Sequence, residues 1–97
     1  MTRQFVIAVE GASKRMKDAV TNLLDGSEYG YWHWMEDLWL IAGVEGDVGA
    51  QSLGEWIEEE IPGLSSLNYL VIEIAPGKEY WGRNVKKAWD WMEQDWG

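Results

Sequence analysis

Residues 30–43, GYWHWMEDLWLIAG, carry the pattern that decides the fold. In YWHWM, Tyr31, His33 and Met35 fall on one side of an extended chain and Trp32 and Trp34 on the other, the period of two that a strand imposes. LWLIA, residues 38–42, is a second β-favouring run, and the polar pair Glu36–Asp37 between them is short enough to turn the chain back on itself. The spacing predicts a β-hairpin with its tip at Glu36 and Asp37.

Working outward, the stretch before the hairpin reads as a strand and then a helix. FVIAV, residues 5–9, is continuously apolar with β-branched members, as a central strand buried on both faces requires. In residues 13–26, Met16, Ala19, Val20, Leu23 and Leu24 recur at helical spacing, with Ser13 placed to cap the start and Gly26 to close the end. After the hairpin, GVEGDVG (43–49) is a glycine-punctuated connection. It has neither the lysine nor the spacing of a phosphate-binding loop, and Glu45 and Asp47 would repel phosphate.

A second helix follows, with Leu53, Trp56, Ile57 and Ile61 on one stripe and Glu55, Glu58 and Glu59 turned to solvent, until PGLSS (62–66) breaks it. NYLVIEIA, residues 68–75, is a strand whose apolar centre fits an interior position in a sheet. PGKEYWG (76–82) turns the chain, and Asn84 is placed to cap a last helix in which Val85, Ala88, Trp89, Met92 and Trp96 share a face. The order β-α-β-β-α-β plus a terminal helix is the split-βαβ, ferredoxin-like plan of an α+β protein. Without a repeat or linker, residues 1–97 form one domain.

Composition narrows the function classes. Seventeen carboxylates against eight Lys and Arg give a net charge of −9. A polyanion binder ordinarily presents a basic surface, so nucleic acid and anionic membrane are disfavoured targets. A local basic patch, a basic protein partner and mimicry of a polyanion stay open. There is no cysteine, hence no disulfide, thiolate nucleophile or Cys-ligated metal. The first apolar run, five residues long, is too short for a signal peptide or a membrane span, and the chain reads as cytoplasmic with no membrane partner. Eight tryptophans exceed what so small a core can enclose, so some are expected at the surface or in an interface.

YWHWMEDLWLI, SLGEWIEEEI followed by NYLVIEIAP, and the closing W-G-x8-W spacing from Trp81 to Trp91 together cover most of the chain. They resemble the SinR-like small proteins, the group related to the CRISPR-associated adaptation subunit first described as an endoribonuclease. The resemblance implies a ferredoxin-like protomer that forms a homodimer. It also implies a divalent-metal carboxylate at the end of the first strand, where this chain has Glu10 in place of the family's aspartate. The extra methylene displaces the oxygens by about a bond length, which matters for the octahedral geometry Mg²⁺ demands.

Each candidate site residue has a plainer alternative. Glu10 could hold Mg²⁺ or Mn²⁺ with its symmetry mate, or simply end a strand and pair with Arg15 or Lys17. His33 could move a proton, but its nearest carboxylates lie in the turn, and stacking against rings is the plainer role. Trp32, Trp34 and Trp39 could stack unpaired bases, but no cation flanks them. With Trp81 they are better read as core or interface. Lys14, Arg15, Lys17, Arg83, Lys86 and Lys87, with Lys78 nearby, could grip a phosphate backbone if the fold brings them together, and otherwise balance surface charge.

These residues support a non-catalytic interaction module with a protein partner and no cofactor, and the resemblance implies that it is a homodimer. The alternatives are a metal-dependent nuclease acting through Glu10 and an acidic nucleic-acid mimic that blocks a basic protein.

Overall fold

A computed structural model describes residues 2–96 of the chain. The strands are β1 (Thr2–Val9), β2 (Gly30–Met35), β3 (Leu38–Glu45) and β4 (Tyr69–Ile74), and the helices are α1 (Lys14–Asp25), α2 (Ala50–Glu60) and α3 (Lys86–Trp91). A short 3₁₀ turn, Leu64–Ser66, precedes β4, and α3 runs on into a wider π turn, Met92–Trp96. The strands form one antiparallel sheet in the order β2-β3-β1-β4, the ferredoxin-like arrangement expected from the element order. The hairpin tip is at Glu36 and Asp37, and β1 is interior.

α1 begins where Ser13 accepts a hydrogen bond from the Met16 amide at 3.2 Å, and it ends at Gly26, whose amide returns to the Asn22 carbonyl. Its Val20 and Leu24 join Leu53 and Ile57 of α2 over the first face of the sheet, against Phe5, Ile7, Val9, Trp39, Ile41 and Val44. Each such side chain is worth roughly 1.5–3 kcal/mol when fully buried, so this layer is the main source of stability.

The second face is covered only in part. The segment after β4 turns at Pro76–Gly77, where Gly77 takes a φ of 80° that a β-carbon would disfavour. α3 and its π turn then cross back over the sheet. Ala88, Met92 and Trp96 bury Trp32, Leu40 and Ala42 in a second, smaller core. Trp32 Nε1 donates to the Ala88 carbonyl at 3.2 Å, and Asn84 Nδ2 donates to the Trp34 carbonyl at 3.1 Å.

Three expectations are corrected. β4 is an edge strand, not an interior one, because α2 delivers the chain to the outer side of β1. Its apolar residues therefore lack a strand on one side. The cap of α3 is Val85, one residue later than expected; Asn84 instead accepts from the Val85 amide and reaches across to β2. Met35 does not share a face with His33. Pairing moves from Trp32–Leu40 to Met35–Leu38, three steps on β2 against two on β3, and this one-residue bulge turns Met35 to the second face.

Candidate functional site

The register of β1 with its two neighbours aligns Leu38, Ala8 and Leu70 in one row across the second face, and Leu40, Val6 and Ile72 in the next. α3 covers the β2–β3 end of these rows. Toward β4 the face is bare, and Leu70 and Ile72 keep 57% and 45% of their surface in water. Among the described residues, every large apolar side chain left exposed belongs to β2, β4 or the segment from 75 to 85, and none to α1 or α2. Exposed apolar surface is therefore concentrated on these elements rather than scattered over the chain.

At the hairpin end of this face lies a cavity of about 130 Å³. Trp32, Leu38, Leu40 and Met92 line it from the second core, with Met35 from the bulge, and Tyr80, Trp81, Arg83 and Trp89 from the connecting segment and α3. Tyr80 stacks on Trp89 with ring centres 6.1 Å apart. Among the described residues the lining holds no Asp or Glu, although the chain has seventeen.

The interface candidates separate. Trp39 is fully enclosed between the sheet and α1, where its Nε1 donates to Thr21 Oγ1 at 3.1 Å, and Trp32 lies beneath α3. Both therefore serve the fold. Trp34 and Trp81 remain at the surface, at 37% and 98% exposure.

His33 stacks flat on Trp39, with ring centres 4.3 Å apart and planes 3° from parallel, and its Nδ1 lies 3.1 Å from the Leu38 carbonyl oxygen. That is the packing role. Glu10 is exposed, and among the described residues its carboxylate meets only the Asn68 amide nitrogen, at 3.4 Å. Among the described residues no three His, Asp or Glu side chains gather as a metal site.

The basic residues do not form one patch. Those of α1 lie on the first face and those of α3 on the second. Lys14 pairs with Asp18 at 2.8 Å, Lys86 with Asp90 at 3.0 Å, and Lys17 with Glu36 and Asp37 at 3.6 and 3.8 Å. Arg15, Arg83 and Lys87 have no carboxylate within 4.0 Å among the described residues.

At the β4 edge the Arg3 guanidinium makes a two-pronged contact with Glu73, at 2.6 and 2.8 Å, which holds the Glu73 carboxyl below the usual range and raises Arg3. Tyr69 donates to the Glu58 carboxylate on α2, and that hydrogen bond, with burial, pushes its phenol up to about 12. Burial foremost, then Glu45 and Asp25 respectively, also raise Tyr29 and Tyr31.

Leu70, Ile72 and Met35 were not among the residues the sequence singled out. The alternation in YLVIEI contains the β4 signal, since Glu73 shares a side with Tyr69 and Val71 and leaves the opposite side wholly apolar. The Met35 bulge has no sequence signal of that kind. No family model, no curated protein and no solved structure matches this chain. Among the described residues no helix is long and apolar enough to cross a membrane.

Proposed function

We propose that this chain is a non-catalytic interaction module that acts as a homodimer, joined through the bare half of the second sheet face. One observation carries the reading: Leu70 and Ile72, at 57% and 45% exposure, extend the apolar rows of the second core onto an edge strand that this core reaches only at Ile74 among the described residues. An exposed, apolar sheet edge favours pairing or burial by another chain. A two-fold contact lets one patch cover itself. The similarity of the hairpin to SinR-like proteins points to the same assembly. The settings of His33, stacked on Trp39, and Glu10, beside Asn68 alone, favour binding over catalysis.

Sedimentation equilibrium of the full chain tests this. The expected result is a dimer at micromolar concentration, and a monomer with unchanged far-UV circular dichroism when Leu70→Asp and Ile72→Asp are combined. A wild-type chain that stays monomeric across that range overturns the proposal.

A further inference from the structure

Trp81 is the most conspicuous side chain that the fold does not use. It is 98% exposed, and the next most exposed tryptophan, Trp34, keeps only 37%. An indole left in water forgoes the burial of roughly 200 Å² of surface. Neither is it on a loose end. Its neighbour Tyr80 is stacked on Trp89, and Asn84, three residues on, is bonded to the Trp34 carbonyl. The ring is therefore presented from a segment pinned on both sides, which lowers the ordering cost of contact.

Beside it is the cavity of about 130 Å³ between the hairpin and α3. That space is too small for a peptide segment, but it is open on one side and close in size to an apolar cavity of about 150 Å³ that accepts benzene, so it can take the leading ring of an indole.

Resting on the homodimer reading, we propose that Trp81 of each copy seats in this cavity of the other. A projecting ring at the rim of an apolar pocket on one face meets the requirement of a two-fold contact, in which the patch must be complementary to itself. Charge agrees. Two copies each carrying −9 repel, so contact is favoured where carboxylates are missing, and among the described residues the cavity lining contains none. Arg83 on its rim, with no carboxylate within 4.0 Å among the described residues, is free to lie over the face of the incoming indole. A buried tryptophan anchor with an arginine is the usual composition of an interface hot spot.

The test uses the full chain and two single variants, Trp81→Ala, which removes the ring, and Met35→Glu, which places a carboxylate at the cavity mouth. Both sites are exposed, and far-UV circular dichroism checks that the variants fold. Each variant alone is expected to dimerise about 30-fold or more weaker than wild type, the size of a hot-spot loss. An equimolar mixture of the two is expected to recover part of the affinity, because the heterodimer retains one ring facing one cavity that lacks only its own Trp81 at the rim and has no carboxylate placed at its mouth. Wild-type dimerisation should strengthen with added salt, as repulsion between like-charged copies is screened. A Trp81→Ala chain that dimerises as tightly as wild type overturns the seat while leaving the dimer in place, and so does a mixture with no recovery. A wild-type chain that is monomeric throughout removes both. Dimerisation that weakens with salt also overturns the proposal, since it would mean that opposite charges hold the contact.

Discussion

Gln4 Nε2 donates to the main-chain carbonyl of Trp96 at 2.7 Å, a bond that ties the first strand to the end of the π turn across nearly the whole sequence. Gln4 is the one buried polar side chain among the described residues, and it fastens the far end of the segment that covers half of the second face. Replacing it with methionine keeps the shape and removes the donor. An orphaned buried carbonyl costs about 1–3 kcal/mol. The amide's own Oε1 has no partner among the described residues, so its loss offsets part of that cost. Gln4→Met is expected to destabilise at the low end of the range, about 1 kcal/mol by urea unfolding. A loss of 3 kcal/mol or more would mean that Oε1 is satisfied after all.

The His33 ring stacks on Trp39 and so contributes to packing on the first face. An aromatic pair of this kind adds about 0.5–1.5 kcal/mol beyond area burial. His33→Phe preserves the ring and is expected to stay within about 1 kcal/mol of wild type. His33→Ala should lose about 1 kcal/mol. Trp39→Ala removes a fully enclosed indole and is expected to cost about 3–5 kcal/mol, since surrounding side chains relax only partly into such a space. Equilibrium denaturation of the three variants checks the ranking.

Much of this architecture is legible in residue patterns, and the parts that are not share a cause. Ser13, Gly26 and the turn at Glu36–Asp37 act through neighbours a few residues away, so local chemistry reveals them. The edge position of β4 depends instead on which side of β1 the chain arrives after α2, and a run such as YLVIEI is compatible with either outcome. The same holds for the tryptophans. Trp39 and Trp34 stand five residues apart in one hairpin, yet one is enclosed by α1 and the other, beyond the bulge in β2, reaches solvent. The bare corner is a difference between two coverings, and no single stretch of sequence encodes it.

The edge contacts respond to pH in opposite directions. Glu73 has its folded pKa lowered by Arg3, so the stability this pair contributes is present above the ordinary carboxylate value of 4.5 and is lost as pH falls through the lowered value. In acid titrations followed by circular dichroism, Glu73→Gln should remove that part of the pH dependence. Tyr69 runs the other way. Its phenol titrates at about 12 when folded against an ordinary value of 10.0, so its contribution is complete below pH 10 and declines between those two values. Tyrosinate absorbance should show a late component that disappears in Tyr69→Phe. A component that persists in the variant would assign the late titration to Tyr29 or Tyr31, which are also raised.

Gly54 sits in the middle of α2, buried against β4, where a glycine normally signals that a side chain would not fit. Here the space allows one. A β-carbon built at this position would lie 3.6 Å from the Tyr69 hydroxyl oxygen and 3.7 Å from a Val71 methyl, which are ordinary contact distances. The backbone is helical, so an alanine there adds no strain. It would narrow the unfolded ensemble and raise helix propensity, each of which favours the folded state. Gly54→Ala is therefore expected to stabilise the chain by about 0.5–1 kcal/mol. Its β-carbon would also make the Tyr69–Glu58 contact harder for water to reach, so the late tyrosine titration should move no lower. Destabilisation in thermal or urea unfolding would show that α2 and β4 approach more closely in solution than these distances, and that the glycine is required for the packing of the edge strand.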